Sequence, residues 1–137
     1  MKFDVEKLKP AKVKIIKSKT GFGLVTDISL KKGDFVIEYI GKKLNQKEAD
    51  KIGGMYLFEI NKNVTIDGKS RKNIARYINH TCKPNCEVEI KDERVFIFSI
   101  KDIKKGEELG YDYGVEFFKE FIKEKGCKCG AKKHLYK

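Results

Sequence analysis

The chain has 137 residues, with 37% charged and 40% hydrophobic side chains and a formal net charge of +11. That size allows one domain, and that balance excludes a disordered chain. No apolar run reaches the ~20 residues of a membrane helix, and Met1-Lys2-Phe3-Asp4 opens no signal peptide, so the protein is expected to stay inside the cell. The Asn-x-Thr triplets at Asn63 and Asn79 then carry no glycosylation meaning. The Lys-rich surface suits an acidic partner or nucleic acid, or serves solubility alone. No aromatic-basic motif decides for nucleic acid.

In chain order, β-branched Val13 to Ile16 reads as a strand and Phe22 to Thr26 as a second, with a turn signal at Thr20-Gly21. Phe35 to Ile40 is a third, closed by Gly41. Asn45 with Glu48 three residues on forms a capping-box signature for a short helix that Gly53-Gly54 ends. Tyr56 to Ile60 and Val64 to Asp67 pair as a hairpin around Asn61-Lys62-Asn63. Lys72 to Ile78 reads as one or two helical turns. Glu87 to Ile90 and Arg94 to Ser99 form another hairpin, turned by Lys91-Asp92-Glu93. Its second arm is apolar on both faces and is expected to be buried. After Gly114, Phe117, Phe118, Phe121 and Ile122 recur at helical spacing, and Gly126 stops that helix. The fold class is mainly β with short helices.

Four segments carry chemistry. In Lys19-Thr20-Gly21-Phe22-Gly23-Leu24, two glycines flank an aromatic, which suits close backbone approach to a ligand or an ordinary hairpin turn. Arg76-Tyr77-Ile78-Asn79-His80-Thr81-Cys82-Lys83-Pro84-Asn85-Cys86 crowds short polar groups after an apolar stretch. A Cys82 nucleophile with His80 as base is conceivable there, but no Gly-rich nucleophile setting accompanies it. Gly106-Glu107-Glu108-Leu109-Gly110-Tyr111-Asp112-Tyr113-Gly114 places two phenols on one side of an extended segment. Cys127-x-Cys129-x4-His134 has the spacing of zinc ligands, with a fourth to come from Cys82 or Cys86. Metal binding would order a tail too short to hold a core of its own.

Taken together and in this order, the segments resemble the SET-domain family of protein-lysine methyltransferases, from about Val13 to His134. The most specific stretch is Asn73-Ile-Ala-Arg76-Tyr-Ile-Asn79-His80-Thr-Cys82-Lys-Pro-Asn-Cys86, against the family's Asn-x-x-Arg-Phe-Ile-Asn-His-Ser-Cys-x-Pro-Asn-Cys. The Gly-Glu-Glu-Leu-x-Tyr-Asp-Tyr-Gly segment follows at a suitable distance. The resemblance implies a β-clip-like fold of small sheets, in which the two segments cross as a pseudoknot. It divides the chain into a flank (1–12), a SET domain (13–114) and a C-flanking helix with a post-SET zinc tail (115–137).

The resemblance further implies S-adenosylmethionine as methyl donor, contacted by Gly21, Phe22, Gly23, Tyr56, Arg76, Asn79 and His80. Tyr113 matches the catalytic Tyr, Tyr39 another phenol of the lysine channel, and Tyr111 the position that tunes the number of methyls. A phenol at 111 narrows the channel, so mono- or dimethylation is expected. The zinc ligands implied are Cys82, Cys127, Cys129 and His134, the His replacing the usual last Cys of the tail. Thr81 and Gly110 replace the usual Ser and Thr. The substrate class implied is a lysine-bearing, possibly chromatin-associated protein. The setting is nuclear in a eukaryote and cytoplasmic on the nucleoid in a prokaryote, and the enzyme a monomer or homodimer.

Overall fold

The computed structural model describes residues 3–18, 21–114, 117–122, 127, 129, 134 and 135. Among the described residues, ten strands form small sheets and, with short helical turns, surround one core. Among the described residues no helix is long and apolar enough to cross a membrane.

Strands β1 (Val13–Ser18) and β2 (Gly21–Thr26) pair antiparallel, Ser18 facing Gly21. Both run further than the β-branched cores that announce them; Lys19 and Thr20 of the connecting turn lie outside the described residues. Strand β3 (Phe35–Tyr39) pairs with β9 (Arg94–Ser99), which also pairs with β8 (Cys86–Lys91). The loop of the β8–β9 hairpin is Asp92-Glu93, both at positive φ (52° and 58°). That is the backbone a two-residue hairpin needs to match strand twist. Lys91, expected in the turn, instead pairs with Arg94.

Val95 to Ser99 are all buried, as the two-faced apolar pattern requires. Val95 and Ile97 enter the main core with Leu24, Val36, Ile78 and Leu109. The opposite face is covered from the N-terminal side. Phe3 packs on Phe96 and Phe98 with centroids at 5.2 and 4.9 Å, and Phe35 lies 5.5 Å from Phe98. Each such aromatic contact adds about 0.5–1.5 kcal/mol beyond area burial.

The third sheet has the order β4 (Lys42–Leu44), β6 (Val64–Asp67), β5 (Leu57–Asn61), leaving β5 at an edge. Helix α1 (Gln46–Ile52) precedes it. Asn45 accepts from the Glu48 amide and Glu48 returns the bond to the Asn45 amide, so the capping box forms. Lys72 to Ile78 becomes a 3-10 turn over Ile74–Tyr77. Asn73, at its start, does not cap it. Its buried side chain accepts from the Ile40 amide and donates to the Gly68 carbonyl, tying the β3–β4 corner to the end of β6. The expected C-terminal helix is described as a π-helical turn over Phe118–Ile122; Gly126, its expected stop, lies outside the described residues.

The decisive pairing joins two segments distant in the chain. Strand β7 (Asn79–His80) runs parallel to β10 (Gly110–Tyr111), with Asn79 opposite Gly110 and His80 opposite Tyr111. On its other side the chain into β10 follows β2: the Leu109 amide donates to the Leu24 carbonyl and the Thr26 amide to the Glu107 carbonyl. Asn85 completes the crossing. Its side chain accepts from the Gly110 amide and donates to the Glu108 carbonyl. A buried amide bonded at both ends substitutes for missing ladder bonds, which is how irregular backbone stays affordable inside a fold.

Candidate active site and metal cluster

A cleft of about 650 Å³ opens between the β5 edge and the β7–β10 crossing. Tyr39 reaches it from the end of β3. Its hydroxyl donates to the Tyr56 carbonyl at 2.7 Å, and its ring packs on Phe58 at 5.5 Å. The ring lies so close to Gly68 that a Cβ there would collide with it. Tyr111 is 5% exposed and stacks 4.8 Å from Tyr113, whose ring meets Phe117 edge-on at 4.7 Å. The Tyr113 hydroxyl donates to the Ile78 carbonyl.

Burial pushes the Tyr39, Tyr111 and Tyr113 phenols well above their ordinary range, with neighbouring acidic or phenolic groups acting in the same direction. All three therefore remain protonated at neutral pH. They are hydrogen-bond donors and an aromatic wall, and none is poised as a phenolate base.

Arg76 lines the same cleft. Its guanidinium carbon lies over the Tyr56 ring, 4.1 Å from the centroid, and Nη1 donates to the Lys69 carbonyl. Its Nε is buried without a partner among the described residues. An orphaned cationic donor of this kind is costly unless a ligand satisfies it. Asn79 donates from Nδ2 to the Phe22 carbonyl at 2.8 Å and to Glu108 Oε2 at 3.1 Å. It thereby clamps β2, β7 and the chain before β10. Gly23 makes this approach possible, since a Cβ on it would sit 2.9 Å from the Glu108 carboxylate.

The residues expected at the site divide into two sets. Tyr39, Tyr56, Arg76, Asn79, Tyr111 and Tyr113 line the cleft together. Gly21, Phe22, Gly23 and His80 do not. Phe22 is 55% exposed, its ring edge-on to Tyr77 at 5.9 Å. The His80 imidazole is buried and turned away: Nδ1 accepts from the Tyr113 amide at 3.1 Å, and Nε2 lies 3.6 Å from Cys82 Sγ. Burial lowers its pKa, against the pull of Asp112. The cleft also presents Asp50, Glu59 and Glu120 against Lys62 and Arg76, an acidic balance on a chain of net charge +11. Composition hid this, because a net charge carries no address. Phe117 was visible only as a helix-spaced apolar residue.

Beyond His80, the ligand atoms of Cys82, Cys127, Cys129 and His134 all lie within 4.8 Å of one another. Cys82 Sγ is 3.7 Å from Cys127 Sγ and 3.4 Å from His134 Nδ1, and Cys129 Sγ is 3.6 Å from His134 Nδ1. A tetrahedral zinc with bonds of about 2.3 Å to sulfur and about 2.0 Å to nitrogen sets its ligand atoms roughly 3.5–3.8 Å apart. The donor set and its spacing fit that ion. Burial pushes the Cys127 thiol up to about 12. Cys86, the other candidate, is 1% exposed in the main core, and burial raises its thiol to about 12. It is a packing residue.

A family described as SET domain matches residues 21–114. The chain is 37% identical over 123 residues to "Histone-lysine N-methyltransferase, H3 lysine-4 specific" of Emericella nidulans, covering 80% of this chain and 10% of that protein. The protein of the same description from Schizosaccharomyces pombe is 40% identical over 122 residues, 80% of this chain and 13% of the relative. "Putative histone-lysine N-methyltransferase ASHH4" of Arabidopsis thaliana is 38% identical over 134 residues, 88% of this chain and 37% of the relative. The chain thus spans 10 to 37% of the length of these relatives. With the mainly β architecture, the crossing of β7 with β10 and the phenol-lined cleft already in view, the match places this chain in the SET-domain family.

Proposed function

We propose that the chain is an S-adenosylmethionine-dependent protein-lysine N-methyltransferase that adds one or two methyls to a lysine of a basic, chromatin-associated protein. One observation carries this reading: Tyr39, Tyr111 and Tyr113, from separate parts of the chain, converge on one cleft with Asn79 and Arg76. The cofactor fits the groups available. The orphaned Nε of Arg76 suits a carboxylate, and the Tyr56 and Tyr113 rings suit a cation. Arg76, Asn79 and Tyr56 would hold it from the cleft, together with the β2 backbone near Phe22. S-adenosylmethionine, when bound, supplies a methyl group activated on a sulfonium.

The protein's part is positioning and proton control. A lysine amine attacks only when neutral, and its ordinary pKa is about 10.4. The aromatic wall strips water from the entering ammonium and lowers that value, so the proton leaves to solvent. The Tyr113 hydroxyl is fixed on the Ile78 carbonyl and the Tyr39 hydroxyl on the Tyr56 carbonyl. Both therefore meet the amine at set points, and most of the rate gain comes from orientation. Tyr111 narrows the space for an already methylated amine. Asp50, Glu59 and Glu120 favour a basic peptide along the β5 edge, and the relatives' names point to histones. In a eukaryote this places the enzyme on chromatin. Cys82, Cys127, Cys129 and His134 would hold one structural zinc, which joins the tail to the crossing and takes no part in the transfer.

The test is transfer from labelled S-adenosylmethionine to unmodified core histones, with the product read by mass spectrometry. Mono- and dimethyl-lysine are expected. Cofactor binding with no label on any lysine of histones or host lysate would leave a binding module in place of an enzyme.

A further inference from the structure

The cleft and the Cys/His cluster are joined by one imidazole. A backbone N–H can only donate, so the 3.1 Å bond from the Tyr113 amide makes His80 Nδ1 an acceptor. The ring's proton must then sit on Nε2, which faces Cys82 Sγ at 3.6 Å, a normal length for a hydrogen bond to sulfur. Asp112 Oδ1, 3.8 Å from Nδ1, does not alter this, since that nitrogen's lone pair is already engaged; the carboxylate accepts instead from the Gly114 amide at 2.9 Å. The His80 side chain is 4% exposed, so water does not compete for either end. Tyr113 is thus held twice, at its amide by His80 and at its hydroxyl by the Ile78 carbonyl.

We propose that His80 is a positioning residue that donates from Nε2 to the zinc-bound Cys82 thiolate while holding the Tyr113 amide on Nδ1, coupling metal occupancy to the placement of Tyr113. The inference rests on the zinc reading above. Hydrogen bonds from outer groups to metal ligands orient the ligand and tune the charge it donates, and losing one commonly weakens metal binding about 10- to 100-fold. A thiolate accepts such a bond more strongly than a thiol. Loading the metal therefore tightens the ring against Cys82 and, through the same rigid imidazole, fixes the Tyr113 backbone.

Two half-replacements of the imidazole separate the roles. Gln carries its amide nitrogen near the place of Nε2, and Asn carries its amide oxygen near the place of Nδ1. The full chain, stripped of metal, is titrated with Co²⁺ as a coloured stand-in for zinc. The wild type should develop thiolate-to-cobalt charge-transfer bands and tetrahedral ligand-field bands. Their absence would remove the zinc site, and the proposal with it. Given those bands, His80→Asn should weaken Co²⁺ binding by about tenfold or more in chelator competition and move the charge-transfer band to lower energy. His80→Gln should keep both near wild type while shifting the Tyr113 amide resonance. Imidazole ¹⁵N shifts of the wild type should report the Nε2–H tautomer. A His80→Asn protein that matches wild type in affinity and band energy would overturn the coupling while leaving the zinc site standing. So would equal losses in both variants, or an Nδ1–H tautomer.

Discussion

The phenol cleft and the Cys/His cluster meet at the His80 imidazole, yet they are held by different physics. In the cleft, Tyr39 and Tyr111 are 6% and 5% exposed, packed on Phe58 and Tyr113 and anchored to strands of the core. In the cluster only Cys82 belongs to the core; Cys127 and Cys129 are half-buried, His134 is exposed, and the nearby Leu135 is 51% exposed. One set of polar groups is ordered by apolar burial around it. The other has such surroundings only at Cys82 among its described residues and would rely on the charge of an ion to draw its ligands together. The apolar packing around the cleft should therefore outlast a chelator, whereas the cluster should lose its geometry with the ion.

The largest effect is expected from Tyr113→Phe. It deletes a hydroxyl of a cleft-lining residue and leaves the Ile78 carbonyl without that donor. Turnover should fall by about a hundredfold or more, the scale of one lost positioned donor, with metal content unchanged. Near-normal turnover would move the chemistry elsewhere. Next comes metal removal, or Cys129→Ser, which should lower activity by at least about tenfold while far-UV circular dichroism changes little. Full activity in metal-free protein would show that the cluster does not support the site.

Glu59→Lys sharpens the comparison on the cleft side. The KM for a basic peptide should rise about two- to fivefold at low salt, the scale of an exposed charge pair, with kcat kept. The rise should shrink as ionic strength increases. In the pH profile, kcat/KM should climb with pH because only the neutral amine attacks. With all three phenols held above their ordinary range, none ionises below about pH 10. No falling limb from these groups should appear there, and Tyr113→Phe should lower the profile without bending it. The smallest effect on rate is expected from Tyr111→Phe, which should raise the share of higher methyl states in the product's mass spectrum. An unchanged product distribution would detach Tyr111 from that choice.

Stability offers a parallel contrast between Cys86 and the cluster thiols. The folded state holds the Cys86 thiol up to about 12 against an ordinary value of 9.0. The unfolded chain ionises first as pH rises, so the stability tied to this burial is present below about pH 9 and is lost on the way to 12. Denaturant midpoints measured across that window should fall with pH, and Cys86→Ala should flatten part of the fall. Zinc would make the dependence of the cluster run the other way, because protons compete with the metal for sulfur as pH drops.

The hairpins, the capping box of α1 and the burial of β9 were legible in the chain because each is local: turn chemistry, a cap three residues from its partner, an alternation without a polar face. The Tyr111–Tyr113 pair and the Cys-x-Cys-x4-His tail stood out by residue type and spacing, whereas Tyr39 was singled out only by the resemblance to the SET-domain family. Which Cys joins the tail was open to residue chemistry alone; the family resemblance pointed to Cys82, and packing puts Cys82 in the cluster and Cys86 in the core. The cover of β9 by Phe3, the orphaned Arg76 Nε, the acidic lining of the cleft and the turning of His80 away from it gave no local signal. Each depends on neighbours tens of residues distant, as with Tyr113 on His80 or Asn79 on Phe22. Closing such loops costs little more for a long separation than for a short one, so distance along the chain does not betray contact. The amino-acid sequence by itself determined the local elements and the chemical inventory of this protein. The tertiary structure decided which phenols share a wall and which ring nitrogen faces which partner, because those follow from the burial of one common core.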